Sequence, residues 1–134
     1  MSGEAESAGQ VRSWDTNTVP WEIRHIDELN GDLDLFGDNS IYIHRTVSHT
    51  PGSQIMVVRM PKTGTVVLTS DAVYLQENLD KNILPSVGSV YNPVGMLDAY
   101  AWIKRVHDLE GGDIIFAHDP DVYKAHKHSP EYYE

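Results

Sequence analysis

The sequence predicts a mixed α/β or α+β layered domain, and three observations carry that reading. Strand-like segments come first, and strand–helix alternation follows them. One long segment, from Pro93 to about Leu109, has apolar residues near helical spacing. No apolar run reaches the ~18 residues that a membrane helix requires.

The elements follow in order. Residues 1 to about 18 lack apolar periodicity and read as a tail. Ile23 to Leu29 is a candidate short strand. Asp32-Leu33-Asp34-Leu35-Phe36 alternates polar and apolar, the period of a half-buried strand. Gly37-Asp38-Asn39 forms a turn, and Ser40 to Val47 completes a hairpin. Ser48-His49-Thr50-Pro51-Gly52-Ser53 is a loop punctuated by Pro and Gly. Gln54 to Met60 is rich in β-branched residues and reads as a strand. Pro61 to Gly64 turns the chain into Thr65-Val66-Val67-Leu68-Thr69, apolar enough to be buried on both faces. Ala72 to Leu79 is a short helix or turn, and residues 80 to 92 are a loop. Asn92 caps the long helix, Pro93 suits its first position, and Gly111-Gly112 stop it. Asp113 to Ala117 is a strand that delivers His118-Asp119-Pro120. A last short helix spans Asp121 to about His128.

Composition excludes several functions. The chain has 134 residues, ten Lys and Arg against twenty Asp and Glu, and a net charge of −10. That balance argues against a nucleic-acid backbone as partner. The absence of cysteine removes disulfides, thiolate catalysis and cysteine-ligated zinc. Met1 to Gln10 is small, polar and acidic, unlike a secretory leader, so the expectation is a soluble cytoplasmic protein without membrane attachment.

Three polar residues occupy comparable places. His49 lies in a loop entered from a strand, and Asp71 and His118 each follow an apolar strand. Strand ends along one sheet edge are where α/β proteins assemble their sites. Two imidazoles and a carboxylate suit Zn²⁺, Fe²⁺ or Mn²⁺.

Four segments point to a family. Thr46-Val47-Ser48-His49-Thr50-Pro51-Gly52-Ser53-Gln54 resembles the T-P-G-H-(S/T)-P-G-H-Q segment of the N-acyl-homoserine lactone lactonases, a branch of the metallo-β-lactamase superfamily. Thr65 to Tyr74 is similar to their L-L-T-x-D-A-x-Y segment. Ile114 to Asp119 is similar to I-x-F-x-H-D, and Pro130-Glu131-Tyr132-Tyr133 to their P-E-Y ending. The likeness covers residues 21 to 134.

The resemblance implies the αββα metallo-β-lactamase-like fold, with residues 19–134 forming the C-terminal β-sheet and helix half of its two-layered sandwich. It implies quorum-quenching ring opening of an acyl homoserine lactone, or of a related lactone or ester, with two divalent ions, zinc by preference. His49 would ligate the first ion, Asp71 would bridge both, and His118 would ligate the second. Tyr74 would donate to the lactone carbonyl oxygen as it gains charge. The alternative for Tyr74 is a packing residue on a short amphipathic turn.

The sequence departs from the pattern. Val47 and Ser48 stand where the family has Pro and Gly, a change expected to alter the loop that aims His49. Ser53 replaces a second His assigned to loop support. The H-x-H-x-D-H motif that supplies most metal ligands is absent. The remaining histidines are His25, His44, His107, His126 and His128, and His126-x-His128 reads as a solvated helix end. His49, Asp71 and His118 alone would give each ion about two protein ligands, against the three usual for catalytic zinc. The expectation is a truncated hydrolase with impaired or no activity alone. The alternative is a non-catalytic module that pairs with a missing N-terminal half or with another copy of itself.

Overall fold

Five strands make one sheet in the order β1-β2-β3-β4-β5, which is sequence order. The computed structural model describes residues 29–134, of which Gly31–Glu134 form a compact unit. The expected tail, and the candidate strand at 23–29 except its last residue, lie outside the described residues. Strands β1 (Leu33–Asp34), β2 (Ile41–Arg45), β3 (Gln54–Met60) and β4 (Gly64–Leu68) run antiparallel in succession. Strand β5 (Asp113–Ile115) lies parallel to β4. A parallel neighbour requires a crossover. It is made by a 3₁₀ turn (Ser70–Ala72), helix α1 (Gln76–Lys81), a second 3₁₀ turn (Val87–Ser89) and helix α2 (Pro93–Glu110). Helix α3 (Pro120–Ala125) follows β5.

The expected hairpin forms, but β1 is only two residues long. Asp34 explains the shortening: its carboxylate accepts the backbone N–H groups of Gly37 and Asn39 at 3.0 and 2.9 Å. These local bonds bend the chain out of the ladder and leave Leu35 and Phe36 exposed.

Helix α2 starts and stops where its sequence says. Asn92 Oδ1 accepts the Gly95 N–H at 3.1 Å, Pro93 needs no donor in the first turn, and Gly111 ends the helix at φ +66°. Its buried stripe is Met96, Ala99, Tyr100 and Ile103, at i, i+3, i+4 and i+7. Leu97 and Leu109 fall off that stripe and are exposed.

The stripe packs with Leu79 of α1 on Ile55 and Val57 of β3, Val67 of β4 and Phe116 after β5. Each such large side chain, once fully buried, contributes roughly 1.5–3 kcal/mol. The strand registers place a second apolar set on the other face: Ile43, Met56, Leu68 and Ile115 in one row, and Ile41, Val58 and Val66 in the next. Val66 and Val67 are both buried although they point oppositely, as expected of β4. Among the described residues, no helix is long and apolar enough to cross a membrane.

Candidate functional site

Strand β2 ends, β3 begins, and β4 and β5 end at one edge of the sheet. The antiparallel and parallel pairings therefore bring three chain segments to the same rim. The β2–β3 loop carries His49, the turn after β4 carries Asp71, and the corner after β5 carries His118.

These three side chains meet. His118 Nε2 lies 2.8 Å from Asp71 Oδ1, and His49 Nε2 lies 3.9 Å from Asp71 Oδ2. Each oxygen of one carboxylate thus faces a different imidazole. The Tyr74 ring stands between the two histidines, edge-on to His118 at 4.6 Å and to His49 at 5.8 Å between centroids. Its hydroxyl is 3.2 Å from His49 Nδ1. His49 is the most sheltered of the three side chains, and Asp71 and His118 are roughly half exposed.

Backbone acceptors set the His49 tautomer. Its Nδ1 lies 2.8 Å from the Ser89 carbonyl oxygen, which only accepts. Nδ1 therefore carries a proton, and Nε2 is the ring nitrogen turned toward Asp71. The Tyr74 oxygen can then share the Nδ1–H but cannot donate to it. The phenol proton stays free for another acceptor.

Asp71 is positioned by a strained, tightly tied turn. Ser70 adopts φ +48°, a left-handed conformation that costs a non-glycine residue of order 1 kcal/mol. Thr69, fully buried, directs its hydroxyl to the Val73 carbonyl at 3.0 Å, and its N–H donates to Ile115 O at 3.1 Å. This ties the turn after β4 to the end of β5. His118 is tied in turn, since its N–H donates to Tyr74 O at 3.1 Å.

The His49 loop rests on the first turn of α2. Asn92 N–H donates to Ser48 O at 2.9 Å. A Cβ on Gly95 would stand 1.9 Å from the Val47 carbonyl oxygen, so only glycine permits this approach. Ser48 does not adopt positive φ, so the loop does not use the freedom a glycine would give there. Its hydroxyl is instead buried with no hydrogen-bond partner. Ser53 serves the loop directly: its Oγ accepts the Thr50 N–H at 2.9 Å and contacts Thr50 Oγ1 at 3.0 Å.

Sequence reasoning missed Thr69, Ser89 and Gly95. A glycine inside a helical pattern was the available signal for Gly95. Ser89 acts through its carbonyl and left no signal. The reading of His126 as a solvated helix end is corrected: its side chain is 13% exposed, and both ring nitrogens have partners.

The donor set fits a metal in kind and orientation. Two imidazoles flank one carboxylate, and the Ser89 carbonyl on Nδ1 leaves Nε2 of His49 turned toward it. It does not fit in number: among the described residues, no three His, Asp or Glu side chains converge on a point where an ion could sit.

No family model matches the chain. The N-acyl homoserine lactonase AttM of Azorhizobium caulinodans is 28% identical over 127 residues, which is 94% of this chain and 47% of that protein. AttM of Rhizobium radiobacter is 28% identical over 130 residues, with 93% and 47% covered. The lactonase AiiA of Bacillus thuringiensis subsp. kurstaki is 33% identical over 87 residues, with 65% and 34% covered. The chain thus spans about half the length of the AttM relatives and about a third of AiiA. Among solved structures, an N-acyl homoserine lactone hydrolase with N-hexanoyl-L-homoserine bound at its catalytic metal centre superimposes with a TM-score of 0.72 at 26% identity. The alignment covers 83% of this chain and 43% of that one. An AiiA mutant from B. thuringiensis with N-decanoyl-L-homoserine at its active site gives the same values. The chain is therefore homologous, over part of their length, to the N-acyl homoserine lactonases, and it has their metallo-β-lactamase fold.

Proposed function

We propose that this chain supplies one wall of a lactonase site that opens the ring of an N-acyl homoserine lactone. The observation that carries the proposal is the single carboxylate of Asp71 with an imidazole at each oxygen, 2.8 and 3.9 Å away, and the Tyr74 phenol between the two rings. His49, Asp71 and His118 would contribute to holding two divalent ions, which would supply activation of water and stabilisation of a developing oxyanion. Tyr74, whose proton is not taken by His49, would donate to the lactone carbonyl oxygen. Ser89 and Thr69 keep the wall in place.

Two protein donors per ion fall short of the three that catalytic zinc takes. The remaining ligands would come from a partner half, seated on the second apolar face of the sheet formed by Ile43, Met56, Leu68 and Ile115. As the 134-residue polypeptide alone, the chain would bind metal weakly and turn over little. Among the described residues no three-donor cluster forms, which also supports a second reading, a non-catalytic module that only pairs with such a half.

The experiment mixes the purified chain with zinc and an N-acyl homoserine lactone, with and without a polypeptide carrying the H-x-H-x-D-H half of a relative. The expected result is substoichiometric zinc and no hydrolysis alone, and hydrolysis on complementation that Asp71→Ala abolishes. Stoichiometric metal with turnover by the chain alone overturns the incomplete site. Assembly of the halves without hydrolysis selects the non-catalytic module.

A further inference from the structure

His126, at the C-terminal end of α3, has both ring nitrogens on acceptors. Nδ1 lies 2.6 Å from the Val122 carbonyl oxygen, and Nε2 lies 2.8 Å from Asp113 Oδ2. A neutral imidazole carries one N–H and would turn a lone pair toward one of these oxygens. Only the imidazolium satisfies both. The Val122 carbonyl, and then the Asp113 carboxylate, hold its pKa above the ordinary 6.5, against the opposing effect of burial.

The place of this contact matters for the rim. Asp113 begins β5, and α3 runs back beside that strand after the corner that carries Phe116, Ala117 and His118. The other end of α3 is fixed separately. Asp119 caps it, accepting the N–H groups of Asp121 and Val122 at 3.1 and 3.2 Å, and also accepts the Gln76 N–H at 3.0 Å. The strand–corner–helix unit is thus closed at its base by one histidine. A cleft of about 660 Å³ opens beside it, lined by Asp80 of α1, Lys104 and His107 of α2, and Asp113 of β5. Asp121 and Lys124 of α3 pair with each other on the exposed side of that helix. Asp113 is the charged group in contact with the His126 ring.

We propose that His126 is a pH-sensitive positioning residue: as an imidazolium it clamps α3 to β5 and so fixes the corner that presents His118 to Asp71. The consequence for a metal-binding wall rests on the lactonase reading; the clamp itself does not. Its sign follows from the raised value. The stabilisation that the second N–H and the charge add to the clamp is fully present below the ordinary imidazole pKa and is lost as pH rises through the higher folded value. Rising pH therefore loosens the His118 corner while leaving the His49 side of the rim unchanged.

Amide hydrogen exchange, analysed as protection factors from pH 5.5 to 9 on the metal-free chain, tests this. Protection of the His118, Tyr123 and His126 amides should fall across the His126 titration, by about tenfold for each unit of raised pKa. Nitrogen-resolved NMR should show both His126 ring nitrogens protonated at the acid end, with a midpoint above 6.5. His126→Gln should leave the three amides uniformly low and independent of pH. Asp113→Asn keeps the Val122 contact and should lower the midpoint, moving the fall in protection with it. A midpoint at or below 6.5, or His118 protection that ignores pH and both substitutions, overturns the clamp. Because no metal or lactone is present, a failed lactonase reading leaves this result standing, and the reverse also holds.

Discussion

Two carboxylates at opposite ends of the same sheet are treated in opposite ways. At the end away from the rim, Glu110 of α2 takes a two-pronged contact from Arg59 at 2.7 and 2.6 Å and a hydrogen bond from the Thr65 hydroxyl at 2.9 Å. A permanent cation meets it in fork geometry, and its valences are filled. At the rim, Asp71 is half exposed and faces two imidazoles, one of them too far for a hydrogen bond. No Arg or Lys side chain pairs with it among the described residues. The first arrangement closes a structure; the second leaves both oxygens able to accept a further cation. Helix α2 joins the two ends, since its first turn supports the His49 loop and its last turn carries Glu110.

The largest effect should come from disturbing α2 at the rim. Gly95→Ala would gain about 1 kcal/mol of helix propensity in isolation. Here the new methyl would overlap the Val47 carbonyl oxygen at 1.9 Å, and backbone cannot yield as a flexible side chain does. A net destabilisation of about 3 kcal/mol is expected in urea unfolding, the upper range for overpacking. His49 NMR signals should shift as the loop is pushed away. A variant as stable as the parent, with His49 unmoved, would show that the rim does not depend on α2.

An intermediate effect belongs to the closed end. The Arg59 guanidinium, and then the Thr65 hydroxyl, hold the Glu110 carboxyl below its ordinary 4.5. A depressed acid stabilises the fold fully above its unfolded pKa, and the contribution fades as pH falls through the folded value. Both partners are about 30% exposed, so solvent screens the pair. Glu110→Gln should cost about 1 kcal/mol at neutral pH, and the gap from the parent should narrow below pH 4.5. A gap that stays constant down to pH 3 would assign the effect to packing rather than charge.

How much of this was legible in sequence depends on where the determining partner lies. The bounds of β3 and α2 were readable because local chemistry sets them: β-branched residues between two Pro-containing turns, and an Asn-Pro start with a Gly stop. The meeting of residues 49, 71 and 118 was readable too, because strand ends must share a rim once the strands pair. The shortness of β1 was hidden in the Asp34 carboxylate, whose competition with the ladder no alternation reveals. His126 was misread because its partner Asp113 is distant in sequence and reaches it only through the β5–α3 packing. The tautomer of His49 was beyond reach, since a loop carbonyl sets it.

The smallest effect on stability should come from the residue most bound to the proposed function. Asp71→Asn keeps the shape of the side chain, and its amide oxygen can still accept from His118. The main-chain ties of the turn run through Thr69 and Val73, not through Asp71. A half-exposed carboxylate with no fixed cation contributes little to folding, so the change should stay within ~0.5 kcal/mol of the parent, as surface substitutions usually do. The same change removes the anionic donor between the two imidazoles, and zinc-induced NMR shifts at His49 and His118 should vanish together. The pattern separates the two ends of the sheet: Glu110 matters to the fold, and Asp71 to whatever occupies the rim. If Asp71→Asn instead unfolded the protein as Gly95→Ala should, the rim carboxylate would be a structural pin, and the contrast with Glu110 would be lost.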